Sequence, residues 1–306
     1  MEFLRELPQQ LINGISLGSI YALIALGYTM VYGVLRFINF AHGDVFMVGA
    51  YIGCLCIPLI MPMFPNEPVI GGLFVILTAM MACAGLGVVI ERLAYRPLRS
   101  RPNLTMLITA IGVSLFLEYT GQLPFIFGPT PRSFPMMVEY KNVIRLPDLV
   151  VSTNQILVLA GSLVLMAGLR FIVNHTRIGT AMRALAMNKT AASLMGVNLD
   201  KVISFTFALG SALAAAAGVM YATMYPKIDP LMGILPGLKA FVAAVLGGIG
   251  SIPGALVGGL IIGIVETFTT AFLSSTYRDA IVFGILIVIL IFKPSGIFGK
   301  RASEKV

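Results

Sequence analysis

Long apolar runs without charge alternate along the chain with short polar segments that carry the charged residues. The apolar positions are continuous, which favours helices over the alternating strands of a membrane barrel. A helix needs about 20 apolar residues to cross the hydrocarbon core, and backbone in lipid must satisfy its own hydrogen bonds. The runs are residues 7–35, 45–66, 68–90, 102–117, 149–169, 202–226, 240–265 and 280–292.

The pattern predicts an all-α polytopic membrane protein that forms one transmembrane domain over residues 1–306. The run from 102 is expected to extend across Glu118 to about Phe127, and the last run to Pro294. Region 236–273 is long enough for two crossings and is broken near 246–254. These runs predict eight or nine transmembrane helices.

Composition agrees with this prediction. Hydrophobic residues make up 58% of the chain and charged residues 11%, whereas a soluble domain carries about 25% charged residues. The net charge of +8 does not indicate nucleic acid binding, because the basic residues are distributed as membrane topology requires.

Fourteen of the 21 Lys and Arg residues belong to one proposed side: Arg36, those in 92–101 and 170–201, and those in the tail from Lys293. The excess of positive charge marks this side as cytoplasmic. The N-terminus is then outside and the C-terminus cytoplasmic, so the number of crossings is odd. Nine crossings satisfy this condition, and eight require a re-entrant element. Segment 128–148 is expected outside, where its prolines disfavour a long helix, and segment 174–201 inside.

The inner segment predicts a short amphipathic helix over 180–195, rich in Ala, Met, Arg and Leu. Met182, Leu185, Ala186 and the Leu194–Met195 pair are expected on one face and Arg183 on another, with Gly196 ending the helix. Such a helix suits docking into a groove of a partner protein. An ordinary basic loop is the alternative.

Asn39, His42 and Asp44 lie at the predicted cytoplasmic edge of the second span. Ionisable groups beside a membrane helix are costly and therefore suggest function. Asn39 capping the helix, with Asp44 in its first turn, is the alternative. His42 and Asp44 are two positions apart and do not share a helix face, which argues against a catalytic pair.

A Gly-rich stretch interrupts the apolar region near its middle. It predicts a broken helix, which transporters place near substrate sites or hinges, or else a simple turn between tightly packed helices. No Gly-x4-Gly-Lys-Ser/Thr motif occurs, so no nucleotide site of that type is expected. The candidate path residues here are Gly247, Gly248, Gly250, Pro253 and Gly254.

Two acids, Glu118 and Glu266, follow long apolar runs and are expected to face the protein interior or a wet cavity. Lys239 and Arg170 are possible partners. A transporter coupled to protons or cations would use such acids. With two His residues and three Cys residues in apolar runs, no metal site, cofactor or catalytic residue is predicted.

Four colinear stretches resemble the permease subunits of branched-chain amino-acid ABC importers. They are LGSIYALIALGYTMVYGVLRFINFAHGD (17–44), ERLAYRPLR (91–99), MRALAMNKTAASLMGVNLDKV (182–202) and KAFVAAVLGGIGSIPGALVGGLIIGIVE (239–266), with PSGIFGK (294–300) in the tail. The family's ATPase-docking core, Glu-Ala-Ala-x-x-x-Gly, matches Thr190-Ala191-Ala192 to Gly196, with Thr in place of Glu.

The resemblance implies a bacterial inner-membrane subunit that imports leucine, isoleucine or valine. Its implied partners are a second permease subunit, two cytoplasmic ATP-binding subunits, a periplasmic substrate-binding protein and membrane lipid. Arg183, Thr190, Ala191, Ala192 and Gly196 are the coupling candidates. A permease for urea, short amides or other amino acids, or an ion-coupled secondary transporter, are the alternatives.

Overall fold

The computed structural model describes residues 2–99, 101–146 and 149–299. Its helices are α1 (Glu2–Leu35), α2 (His42–Ile60), α3 (Pro68–Ile90), α4 (Asn103–Gly121), α5 (Thr153–His175), α6 (Arg177–Met187), α7 (Lys189–Leu194), α8 (Leu199–Met224), α9 (Ile234–Gly247), α10 (Ile252–Phe272) and α11 (Arg278–Phe292). Its strands are β1 (Arg132–Ser133), β2 (Asn142–Leu146), β3 (Leu149–Ser152) and β4 (Lys227–Ile228).

Eight helices in the described part of the chain are long and apolar enough to cross a membrane. They are α1 to α5, α8, α10 and α11, with α3 continuing through a π-helical turn (Glu91–Tyr95) and a 3-10 turn (Arg96–Leu98). The predicted all-α polytopic fold is therefore confirmed.

Helix α9 is a further, shorter apolar helix. Its 14 residues extend about 21 Å, which is less than the roughly 30 Å of the hydrocarbon core. The chain before it is not helical, but Ile228, Met232 and Gly233 are buried in protein. Irregular backbone at membrane depth is tolerated where protein covers it. Eight long helices and this short one agree with the predicted eight or nine helices.

Helix α1 is the centre of the bundle and is almost wholly enclosed by the other helices. It packs most closely on α10 through small residues. A Cβ atom on Gly259 would overlap Ala22, and one on Gly263 would overlap Gly18. The predicted small-residue spacing in α10 thus brings the backbones of the two helices together.

Three predicted boundaries are wrong. Helix α4 ends at Gly121 rather than near Phe127, and turns follow. Residues 149–152 are strand β3, paired with β2, because the apolar Leu-Val-Val sequence has high strand propensity. Helix α5 begins only after Ser152, which forms a capping box with Gln155. The last helix ends at Phe292, two residues before Pro294.

Contacts between the polar segments show which of them lie at the same end of the helix bundle. Arg36 donates to the carbonyl of Ala186, and Arg96 and Arg99 both bind Asp200, so three of the basic segments meet at one end. The tail joins them, since Ile297 donates to Leu246, and the nearby Ile249 lines a small pocket with Tyr32 and Ile38 beside Arg36. Lys300, Arg301 and Lys305 lie outside the described residues.

The described part of segment 128–148, residues 128–146, lies at the opposite end. Residues 147–148 are outside the described residues. Its described part contains strands and turns and no helix, as predicted from its prolines. Strand β1 pairs with β4, and β2 with β3. The start of α1 is tied to the same end, because Gln9 accepts from the backbone of Val150.

Candidate functional site

Two cavities open at the end of the bundle that carries the strands. The larger has a volume of about 500 Å³ and is lined by residues of α1, α8, α10 and α11, and the second has about 320 Å³. Both are in the size range of sites for small molecules. Their linings share four residues, Tyr21, Tyr221, Glu266 and Arg278, which therefore stand between the cavities.

A buried cluster of charges lies at this boundary. Lys239 of α9 donates to Glu266 of α10 over 2.7 Å and lies 2.6 Å from Asp279 of α11. Tyr21 of α1 donates to the other oxygen of Glu266 over 2.8 Å. Arg278 lies 3.6 Å from Glu266 and 3.3 Å from Asp279. Two acids and two bases from three helices thus neutralise one another.

Lys239 and Glu266 are buried, so each charge needs the other as a partner. Lys239 is 2% exposed and Glu266 is 4% exposed, so water stabilises neither charge. Ions at this depth persist when they are paired and hydrogen-bonded. Arg278 and Asp279 are more open, and Arg278 lines both cavities. The cluster thus places a carboxylate and a guanidinium in the walls of both cavities.

Glu266 behaves as predicted, and Lys239 is its partner. Arg170, the other suggested partner, is on an exposed face of α5. Glu118 is also buried, but its neighbour is an acid. The Asp44 carboxyl group lies within hydrogen-bonding reach of Glu118 and accepts a hydrogen bond from Ser114. These acids join α2 to α4.

The Asn39 capping alternative is wrong. The side-chain oxygen of Asn39 accepts from the Tyr95 hydroxyl over 2.6 Å, and the N-cap residue of α2 is Ala41, without a side-chain cap. Asp44 does lie in the first turn of α2. His42 is buried and packs edge-on against Tyr28, with ring centroids 4.7 Å apart. None of these polar groups lines either large cavity.

The Gly-rich stretch forms an elbow between α9 and α10. Gly248 and Gly250 have φ of +103° and +96°, values that L-residues with side chains rarely adopt. Ser251 caps α10, and Pro253 lies in its first turn. Phe298 of the tail donates to Gly247 and holds the elbow at the basic end. Like Gly247, Gly254 is packed at the elbow, away from both cavities.

The predicted helix over 180–195 is two helices, α6 and α7. Asn188 separates them because its side chain accepts from the backbone of Ala191 and caps α7. Met182 and Leu185 are buried, whereas Leu194 and Met195 are each 83% exposed, so the predicted single apolar face is wrong. Gly196, with φ of +83°, ends α7 as predicted.

The coupling candidates differ in environment. Ala192 is buried, while Thr190 and Ala191 are exposed on α7. Arg183 is exposed and donates to the Asn174 carbonyl within its own segment. Val197 donates to Ala192 and Gly196 to Ser193, which is the Schellman arrangement that ends a helix tightly. Helix α7 is thus a short, defined projection at the basic end.

Sequence reasoning missed Tyr21, Tyr221, Arg278 and Asp279 at the cavity boundary. One signal pointed to the two charged residues, Arg278 and Asp279. An intramembrane Lys239 and Glu266 must find opposite charges, and Arg278 with Asp279 adds a pair of charges that balance at the start of the last span. The two tyrosines gave no such signal, because an uncharged side chain in an apolar run does not require a partner of opposite charge.

Comparison with known proteins identifies the family. The profile described as "branched-chain amino acid transport system / permease component" matches residues 10–291. The high-affinity branched-chain amino acid transport permease BraD of Pseudomonas aeruginosa is 42% identical over 301 residues, 97% of each chain. LivH of Escherichia coli K12 is 42% identical over 304 residues, and LivH of Salmonella typhimurium is 41% identical over 301, again at 97% of each chain.

No solved structure matches the chain. The family profile covers nearly all of the described helices, and the two E. coli and Pseudomonas relatives align from end to end. The chain belongs to the family of permease components of branched-chain amino acid transport systems.

Proposed function

We propose that this chain is the transmembrane permease subunit of an ABC importer that moves leucine, isoleucine and valine into the cytoplasm. The observation that carries the proposal is the end-to-end similarity to high-affinity branched-chain amino acid permeases. The chain itself performs transport, and partner subunits hydrolyse ATP.

The cavities at the charged cluster suit an amino acid. A zwitterion carries one ammonium and one carboxylate, and the boundary presents Glu266 and Arg278 to both cavities. Charge-assisted hydrogen bonds from guanidinium to carboxylate are strong and directional. Leu17, Met224 and Ala271 in the larger lining provide apolar surface for an aliphatic side chain.

The other candidate residues fit the same assembly. The exposed Thr190–Ala191 surface and the tight stop at Gly196 support ATPase docking through α7, with Arg183 beside it. Asn39, His42 and Asp44, with Glu118 next to Asp44, and the elbow at Gly247–Gly254 remain candidates for parts that move or line the path. The partners are a second permease subunit, two ATP-binding subunits and a substrate-binding protein.

The orientation is part of the proposal. The basic end, with α6, α7 and the elbow, faces the cytoplasm, and the end with the cavities and segment 128–148 faces the periplasm of a bacterial inner membrane. This places the cavities where a binding protein would release substrate.

The test is substrate specificity. Vesicles containing the assembled importer should take up labelled leucine, isoleucine and valine, with unlabelled urea and acetamide failing to compete. Arg278→Gln is expected to raise the KM for leucine at least about tenfold, since a lost charge-assisted contact is worth about 1.5–3 kcal/mol. Arg170→Gln, at an exposed arginine of α5, is the matched control. Competition by urea and none by valine would refute the substrate assignment.

A further inference from the structure

A separate cavity of about 230 Å³ lies at the basic end of the bundle. It sits among the last turn of α1, the first turns of α4 and α8, and the start of α7. Five apolar residues line it, together with three bases, Arg99, Arg101 and Lys189, and one acid, Asp200. The cavity is distinct from the two at the opposite end.

The acids near this cavity already have partners. Asp200 binds Arg96 and also Arg99, whose Nη1 lies 2.6 Å away. Glu91 is fully buried, pairs with Arg99 and accepts from Ser204. Arg99 is therefore committed to two carboxylates, and these carboxylates leave Arg101 and Lys189 without an anion among the described residues.

Lys189 is crowded by other cations. Partial burial lowers the pKa of its ammonium group, and the neighbouring Arg36 and Arg99 lower it further. Its Nζ donates to the backbone carbonyl of Leu35 over 3.3 Å, a neutral acceptor. Arg36 is likewise directed to a carbonyl, that of Ala186. An anion entering the cavity would relieve this repulsion.

We propose that this cavity binds the phosphate of an anionic phospholipid headgroup. Arg101 and Lys189 would contact the phosphate, and Phe37, Met106, Leu199 and Ile203 would contact the glycerol backbone and upper acyl chain. Basic pockets between transmembrane helices on the cytoplasmic side are suited to such headgroups. The combination of an apolar wall and uncompensated cations favours an amphiphile over free phosphate.

The site has a consequence for α7. Lys189 is the first residue of that helix, directly after its cap Asn188. A bound headgroup would hold the start of α7 against α1 and would make the position of this projection sensitive to lipid composition. Because this inference concerns lipid, it stands independently of the transported substrate.

The test uses the purified full-length chain in detergent. Native mass spectrometry would measure binding of dioleoyl-phosphatidylglycerol, of dioleoyl-phosphatidylcholine, and of inorganic phosphate. Phosphatidylglycerol should bind in preference to phosphatidylcholine. Arg101→Gln with Lys189→Gln should weaken that binding about twentyfold or more, from about fivefold per basic residue. Lys141→Gln with Arg145→Gln, at the opposite end, is the matched control.

If the double variant does not fold, the single variant Arg101→Gln replaces it in the test. This variant should fold, because Arg101 is exposed and its hydrogen bond to Leu98 is made by the backbone and not by the side chain. Equal binding of both lipids, or equal loss in the control variant, would overturn the proposal. Binding of inorganic phosphate with no lipid preference would identify a free-phosphate site instead. Unchanged lipid binding with lost ATPase co-purification would identify an acidic group of the ATPase as the occupant, and would also overturn it.

Discussion

Replacing Lys239 by methionine tests the buried charge cluster. The variant keeps most of the side-chain volume but leaves Glu266, which is 4% exposed, without its 2.7 Å partner. Removing one member of a buried ion pair costs about 3–5 kcal/mol, because the remaining charge stays buried. The side chain of Asp279 is about one third exposed, so water screens its interaction with Lys239. Most of the lost stability therefore comes from the buried charge of Glu266.

A second variant separates pairing from packing. Adding Glu266→Gln to Lys239→Met removes the orphaned carboxylate and should restore part of the stability, with a coupling energy of up to about 3 kcal/mol. Lys141→Met provides the matched control, since Lys141 forms an exposed pair with Glu139 over 2.8 Å and should be nearly silent.

Cys83 provides the readout. It is fully buried in α3, so once the partly exposed Cys54 and Cys56 are replaced by Ser, a thiol-reactive fluorescent dye reports its exposure as the protein is unfolded by detergent titration. The chain contains no Trp, which makes the dye preferable to intrinsic fluorescence. Equal stability of Lys239→Met and wild type, or a double variant no better than the single one, would refute the reasoning about this cluster.

Three further predictions address the packing and the basic end. Gly259→Leu should prevent assembly of α1 on α10, seen as loss of the monodisperse peak in size-exclusion chromatography, whereas Gly284→Leu, where a Cβ meets nothing, should not change the peak. Asn188→Ala should cost α7 about 1 kcal/mol and speed amide exchange over 189–194, while Asn188→Asp keeps the cap; equal exchange in both would contradict the capping role. Arg99→Gln should destabilise the chain more than Arg96→Gln, because Glu91 is fully buried and Asp200 is partly exposed; the same thiol-dye titration measures both, and the reverse order would be evidence against the buried contact.

The spans were predictable because their signal is local. A run of 20 apolar residues has few alternatives to a membrane helix, and the Gly248–Gly250 pair marked the elbow between α9 and α10 by backbone chemistry alone. Strand β3 was missed because Leu-Val-Val reads as apolar in either state. The break at Asn188 was missed because a cap acts through one side-chain hydrogen bond inside an otherwise helical composition.

The candidate site was only partly predictable. A charged side chain within an apolar span is costly unless it is paired, so Glu266 and Lys239 were expected to have partners. Their meeting with Tyr21 depends on the packing of α1, which no local pattern encodes. The contact between Asp44 and Glu118 was not predictable either, because it depends on how α4 packs against α2.

The central claim is tested most directly by the energy source of leucine uptake. Vesicles would contain this chain with the second permease and the ATP-binding subunits, and purified binding protein would be added outside. Uptake of labelled leucine should require both ATP and binding protein, and Ala191→Glu on the exposed face of α7 should abolish it together with ATPase co-purification. Uptake driven by an ion gradient without the ATPases, and unaffected by Ala191→Glu, would contradict the account and identify a secondary transporter.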